Sequence, residues 1–266
     1  MRAAVLGHPI AHSLSPVLHR AAYEALSLDW RYDAIDVDEA GLASFITALD
    51  RSWAGLSLTM PLKRAVVPLL DEASELVDSL GCANTVVLRE GRRSGHNTDV
   101  AGLVAALTES GVTSVASVGI LGAGATAGSA LAAAARLECE SISVSARRPE
   151  SLDGMRRLAV RVGCVAETVD WERRAEVLKA DVVISTLPGD AAGALAPLLP
   201  ARLGVLLDVT YHPWPTTLAS AWGQMGGVVV SGHRFLLHQA AEQVRLMTGS
   251  EPPMAAMDAA LGRALA

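Results

Sequence analysis

The sequence predicts an α/β fold of two domains, each built around a largely parallel sheet. Three observations predict it. Strand-like apolar runs alternate with helix-like segments almost to the end of the chain. The 266 residues are 51% hydrophobic and 19% charged, enough apolar material for sizeable cores and too little charge for a disordered chain. A glycine turn, Gly122-Ala123-Gly124, sits between an apolar run and an alanine-rich one, as a strand-to-helix connection in such a fold requires.

Residues 3–6 open the chain as a strand. A helix from residue 16 to about 26 follows, with Ser15 as its expected N-cap and Pro16 at the first helical position, where a missing N–H costs nothing. A strand over 31–37, a helix over about 39–49 and a strand over 55–58 come next. Helical segments are expected from about 63 to 79, and residues 85–88 begin a hairpin turning at Glu90 and Gly91. Near Asp99 the character changes. A helix over about 100–109 leads to a strand over 115–121, the glycine turn, a helix ending at Arg136 and a strand over 142–145. Later strands are read at 182–185, 205–208 and 228–230, and helices over about 234–248 and 254–265 close the chain. The change of character divides residues 1–100 from a second domain beginning at 101.

Composition narrows the function classes. The formal net charge is −6 and no basic stripe is visible, which argues against a nucleic-acid partner. Residues 110–135 carry no Asp, Glu, Lys or Arg, a run long enough to suggest a membrane span. Gly111, Gly119, Gly122 and Gly124 interrupt it, and Ala and Ser dominate over Leu, so a buried strand, turn and helix are expected and no membrane partner. Cys82, Cys139 and Cys164 are odd in number, far apart and outside any C-x-x-C spacing. A disulfide framework or zinc site is not expected, and the pattern fits the cytoplasm. The opening residues lack the long apolar core of a signal peptide.

The glycine turn carries chemistry. The segment from Gly122 to Ala127 fits G-x-G-x-x-A after a strand and before a helix. Gly122 permits the tight turn, Gly124 lets the backbone approach a pyrophosphate, and Ala127 lets helix and strand pack closely. The helix N-terminus offers free N–H groups and partial positive charge to phosphates. The second domain therefore reads as a Rossmann-type dinucleotide-binding domain. After the next strand come Arg147 and Arg148, with no acid until Glu150. An acid there bonds the ribose 2′-OH of NAD, whereas a guanidinium matches the 2′-phosphate of NADP. The cofactor expected is NADP (NADPH).

The first domain has its own polar clusters: residues 7–16, residues 57–63, Ala83-Asn84-Thr85 and Asn97-Thr98-Asp99. Each borders an apparent strand, where loop polar groups converge in α/β proteins. They supply hydroxyls and amides for a polyhydroxylated ligand, with Lys63 and Asp99 for proton transfer.

Those clusters, with the glycine turn, carry a resemblance: over essentially its whole length the chain resembles the shikimate dehydrogenases. A G-x-P-I-x-H-S-x-S-P pattern is matched by residues 7–16, and N-V-T-x-P-x-K by residues 57–63, with Ser57 for the usual Asn. N-T pairs are matched at Asn84-Thr85 and, followed by Asp, at Asn97-Thr98-Asp99. G-A-G-G is matched at Gly122-Ala123-Gly124-Ala125, D-x-x-Y-x-P-x-x-T from Asp208 through Tyr211 and Pro213 to Thr216, and Q-A-A at Gln239-Ala240-Ala241.

The resemblance implies NADP-dependent, reversible reduction of 3-dehydroshikimate to shikimate in aromatic amino acid biosynthesis. Lys63 and Asp99 would be the catalytic pair. Ser13 and Ser15 would bond the substrate carboxylate, helped by Tyr211, with Thr59, Asn84, Asp99 and Gln239 on the ring hydroxyls. Gly122, Ala123, Gly124, Ala125, Thr126, Arg147, Arg148, Thr186 and Gly232 would hold the cofactor, with no metal. The substrate domain would comprise residues 1–100 completed by helices over about 234–266, and the NADP domain residues 101–233, in a monomer or homodimer. Departures bear on the cofactor: Ala125 and Thr126 replace a commoner glycine, and Ala146-Arg147-Arg148 replaces N-R-T, leaving the arginines to carry the 2′-phosphate. His8, His12, His19, His96, His212, His233 and His238 read as structural, since no carboxylate or Cys spacing makes a metal site. Rival readings are a quinate or aminoshikimate dehydrogenase using NAD, or a non-catalytic ligand-binding homologue. Lys63 and Asp99 argue against the last, because a pure binder needs no proton donor.

Overall fold

The computed structural model describes residues 1–266. Two compact units emerge: Met1–Thr98 with Leu237–Ala266, and Asp99–Leu236.

The first unit is built on a six-stranded mixed sheet. Strand β1 (Arg2–Gly7) is central, with β2 (Arg31–Asp36) and β3 (Trp53–Leu58) parallel on either side. Helix α1 (Ser15–Ala25) joins β1 to β2, and α2 (Glu39–Thr47) joins β2 to β3. β1 and β3 are buried almost throughout, as strands covered on both faces must be. Asp38 caps α2 by accepting the Gly41 N–H at 2.8 Å. Beyond β3 the sheet continues with β5 (Thr85–Arg89), β6 (Arg92–His96) and the two-residue β4 (Glu72–Ala73). The β5–β6 hairpin turns at Glu90 (φ 52°) and Gly91 (φ 79°), the double left-handed turn that matches strand twist.

Two local expectations need correction. Leu14, not Ser15, is the cap of α1; Ser15 already lies inside the helix, and its N–H is taken at 3.3 Å by Ser13 Oγ. The helical segments read over about 63–79 are present as α3 (Leu62–Ala65), a 3₁₀ turn at Val67–Leu69 and α4 (Glu75–Leu80), but β4 intervenes. Pro68 disrupts the ladder, and Asp71 ties the chain to Arg93 in β6, its N–H donating to the Arg93 carbonyl at 3.0 Å. Its carboxylate accepts both the backbone N–H and the guanidinium of Arg93 at 2.7–2.8 Å, which holds the carboxyl well below its usual range.

The second unit carries a six-stranded, all-parallel sheet in the order β12-β11-β10-β7-β8-β9. Its strands are β7 (Ser117–Leu121), β8 (Ser141–Ser145), β9 (Glu167–Val169), β10 (Val182–Ser185), β11 (Val205–Asp208) and β12 (Val228–Val230). This is the doubly wound order 3-2-1-4-5-6 of dinucleotide-binding folds. Helix α5 (Asp99–Glu109) opens the unit, and α6 (Ala125–Arg136) follows the glycine turn. Ala127, Ala130, Leu131, Ala133 and Ala134 of α6 are fully buried, the pattern of a helix covered all round. The uncharged run over 110–135 is thus strand, turn and buried helix, and no helix is long and apolar enough to cross a membrane.

Helix α7 (Pro149–Arg161), β9, a 3₁₀ segment (Trp171–Lys179) and α8 (Thr217–Gln224) are additions to the elements read from sequence. Helices α9 (Gly232–Thr248) and α10 (Met254–Leu265) end the chain, and α10 packs on α1.

Candidate active site

In the first unit the chain runs from β1 out to β2, then returns to the other side of β1 as β3. Such a reversal opens a crevice beyond the carboxyl ends of the two strands that part. The polar clusters singled out in the sequence meet there. The His8 N–H donates to the Met60 carbonyl at 3.1 Å, and the Thr59 N–H donates to the Leu6 carbonyl at 2.9 Å. A side chain at Gly7 would strike the Thr59 methyl, so only glycine lets the two loops approach this closely. Asp36, ending β2, bonds His8 Nδ1 at 2.6 Å and accepts the Ile10 N–H at 3.3 Å. The hydrogen bond to Asp36 raises the His8 pKa and lowers that of the carboxyl.

Ser13 is half-buried and Ser15 buried at the start of α1. Thr59 follows β3 directly, and its carbonyl accepts the Leu62 N–H at 2.8 Å, starting α3. Lys63 is half-buried on that short helix. Its carbonyl accepts the Ala83 N–H at 2.8 Å, stitching α3 to the entry of β5. The next residue, Asn84, is 1% exposed. Its Nδ2 donates to Thr98 Oγ1 at 2.9 Å and Gln239 Oε1 at 3.2 Å, and its Oδ1 accepts the Thr98 N–H at 2.8 Å. Thr59, Lys63, Asn84 and Gln239 therefore belong to one end of one sheet, although Asn84 and Gln239 are 155 positions apart.

Sequence reasoning missed the layer behind them. His19, Tyr32, Ser57, Thr85 and Gln243 are buried and joined by hydrogen bonds of 2.6–3.1 Å. The family pattern marks Ser57 only as a replacement for Asn, and nothing local to His19 sets it apart from a structural histidine. No local pattern signals Gln243, whose partners lie up to 224 residues away.

In the second unit the strand order reverses between β7 and β10. Gly122 turns there with φ 112°, and a Cβ on it would strike Thr186 Oγ1. Thr186 closes the other side, donating to the Leu121 carbonyl from its N–H at 2.9 Å and its hydroxyl at 2.8 Å. Gly124 caps α6 without any side-chain hydrogen bond, and no atom lies within 4 Å of where its Cβ would stand. Ala125 and Thr126 form the first turn of α6, and Ala123 precedes Gly124 half-buried. The arrangement leaves helix N–H groups and a bare backbone open to an anion. Arg147 and Arg148 are exposed between the end of β8 and the start of α7, engaged in no ion pair. A turn of this kind with two unpaired guanidiniums beside it fits a phosphorylated dinucleotide.

Asp99 is buried at the first position of α5. Tyr211 lies half-buried in the loop after β11. Asp208 shapes that loop, accepting the Thr216 hydroxyl at 2.8 Å and the Thr210 N–H at 3.1 Å. Burial raises its carboxyl above the usual range, and these bonds partly offset the rise. Gly232 packs against the same loop: a Cβ there would lie 2.5 Å from the Val209 carbonyl oxygen and 2.6 Å from that of Thr210. The His233 ring stands 6.0 Å from both Tyr211 and Trp214, so the loop's aromatic side chains pack on the start of α9. No three His, Cys, Asp or Glu side chains are grouped so as to hold a metal ion.

Comparison with known proteins follows the same lines. The profile described as the shikimate dehydrogenase substrate binding domain matches residues 5–86. That of the shikimate 5'-dehydrogenase C-terminal domain matches residues 232–261. The chain is 34% identical over 272 residues to the shikimate dehydrogenase (NADP(+)) of Methanothermobacter thermautotrophicus, an alignment covering 98% of this chain and 95% of that protein. The crystal structure of Mycobacterium tuberculosis shikimate dehydrogenase superposes with a TM-score of 0.91 at 39% identity, covering 98% of this chain and 99% of that one. The Thermus thermophilus enzyme, crystallised in complex with NADP(H) and shikimate, gives a TM-score of 0.87 at 32% identity, with 99% of each chain covered. With this likeness running from end to end, the chain belongs to the shikimate dehydrogenase family.

Proposed function

We propose that this protein is an NADP-dependent shikimate dehydrogenase, interconverting 3-dehydroshikimate and shikimate. The observation that carries the reading is its end-to-end likeness to enzymes bearing that name, at 34–36% identity. The geometry supports it. Hydroxyls and amides suited to a polyhydroxylated carboxylate gather at the switch point of the first sheet, and a phosphate-binding turn occupies that of the second. The first unit is accordingly the substrate domain and the second the NADP domain.

Bound NADPH would supply the hydride. The chain's own groups do the rest. Gly122, Gly124 and the first turn of α6 (Ala125, Thr126) would receive the pyrophosphate, Arg147 and Arg148 the 2′-phosphate, and Thr186 and Gly232 would complete the cofactor site. Ser13, Ser15 and Tyr211 take the substrate carboxylate. Thr59, Asn84 and Gln239 orient the ring through its hydroxyls. The Lys63 ammonium donates a proton to the ketone oxygen and stabilises the charge developing there, since an alkoxide in a dry site is costly. Asp99 orients the lysine and a neighbouring hydroxyl. Cys82, Cys139 and Cys164 form no disulfide, which supports reading the protein as a cytoplasmic enzyme.

A panel of substrates assayed with both cofactors tests the reading. Shikimate with NADP should give the highest kcat/KM. Higher kcat/KM for quinate, or with NAD, would move the protein to a neighbouring activity in the same family.

A further inference from the structure

Gln243 lies one helical turn beyond Gln239 on α9 and is 1% exposed. Its Nε2 donates to the Asn84 carbonyl at 3.3 Å and to Thr85 Oγ1 at 3.1 Å. Its Oε1 accepts from Ser57 Oγ at 2.8 Å and from His19 Nε2 at 3.1 Å. A primary amide has two N–H donors and two acceptor lone pairs, and every one is used here by a buried partner.

The directions are determined as well. A backbone carbonyl only accepts, so the amino end of Gln243 must face Asn84 and its oxygen must face Ser57 and His19. His19 therefore carries its proton on Nε2, leaving Nδ1 to accept from the Tyr23 hydroxyl at 3.4 Å. Tyr32 donates to Ser57 at 2.6 Å, which frees the Ser57 proton for Gln243. On the other side, Thr85 accepts from Gln243 and gives its own proton to Asn84 Oδ1 at 2.9 Å. With Thr85 and the Thr98 N–H both donating to Oδ1, the Asn84 amide has a single orientation, its Nδ2 turned to Thr98 and Gln239. Reversing Gln243 would set oxygen against oxygen and leave buried partners unmatched, which the interior does not tolerate cheaply.

We propose that Gln243 is a positioning residue: through Thr85 and the Asn84 backbone it dictates how Asn84 and Gln239 present their amides, and so sets affinity for the hydroxylated ring without touching it. The inference rests on the reading that Asn84 and Gln239 hold the substrate.

Steady-state kinetics on Gln243→Leu, Asn84→Ala and the double variant test it. Gln243→Leu should raise KM for shikimate about tenfold, while KM for NADP and kcat stay within about twofold of wild type. Asn84→Ala should also raise KM for shikimate, and adding Gln243→Leu to it should change that KM by less than about twofold, because the residue acted through is gone. If Gln243→Leu lowers Tm but leaves the shikimate KM unchanged while Asn84→Ala raises it, Gln243 is only a fold staple and the proposal is wrong. Fully additive effects in the double variant would contradict it too. If Asn84→Ala leaves the shikimate KM unchanged, the assignment of Asn84 itself fails. Thr85→Val breaks the same relay with a smaller change of packing. Should Gln243→Leu not fold, an unchanged shikimate KM in Thr85→Val overturns the proposal and a rise of about tenfold supports it.

Discussion

Lys63 and Asp99 carry the proposed proton chemistry, and Lys63 is the sharper test. Lys63→Ala should lower kcat by about 10² to 10⁴, the usual worth of a general acid, with the fold intact by circular dichroism. Near-normal turnover would remove it from the mechanism. Arg147 is exposed beside the glycine turn. Arg147→Ala should raise KM for NADPH about tenfold, a loss of about 1.4 kcal/mol, with KM for shikimate unchanged. An unchanged KM for NADPH would shift the 2′-phosphate to other groups. These residues were legible in the sequence because each stands in a short local pattern. Gln243 was not, because its meaning arises only when α9 is laid against β3 and β5, 186 positions from Ser57. Ser57 shows the same limit. Its replacement of asparagine was visible, but not that its hydroxyl relays Tyr32 to Gln243.

Among the elements, the strand-turn-helix of β7, Gly122–Gly124 and α6 has the clearest division of labour, and its two glycines should fail differently. Gly122 needs a left-handed backbone and faces Thr186. Gly122→Ala should therefore cost about 1–3 kcal/mol of stability, read by urea unfolding, as well as cofactor affinity. Gly124 has ordinary backbone angles (φ −82°) and open space where a Cβ would go. Gly124→Ala should leave stability nearly unchanged while raising KM for NADPH, because the added methyl group would occupy the space proposed for the pyrophosphate. Equal stability losses in both would contradict this division. Regular crossovers such as β1-α1-β2 were readable from period and punctuation. The stretch over 63–79 was not: its apolar residues suit a helix, but Pro68 and the Asp71–Arg93 pair impose a turn and a short strand. Helix α7 escaped notice although Leu152, Met155, Leu158 and Ala159 give it one buried face; its many charged residues lower its mean hydropathy and mask the stripe.

For the whole molecule, the buried network links stability to pH. Burial pushes the His19 imidazole down from 6.5 to about 4, a shift the Gln243 bond only partly opposes. The unfolded chain therefore binds one more proton than the native one between about pH 4 and 6.5, so stability from this group is full above 6.5 and falls as pH drops toward 4. Between pH 7 and 4.5 the wild type should lose about 2–3 kcal/mol more than His19→Gln in urea unfolding. Equal losses would mean that His19 is not buried neutral. The doubly wound character of the second unit was legible from its glycine turn and strand spacing, whereas the lateral order of its six strands required the structure. The proposed activity turns on Lys63 as the proton donor to the ketone. The most direct test is the rise in reduced-nicotinamide absorbance when shikimate is added to the purified protein with NADP⁺. Rapid NADPH formation by the wild type, nearly abolished in Lys63→Ala, is the predicted result. No NADP⁺ reduction with shikimate, or reduction at the same rate in both proteins, would contradict it.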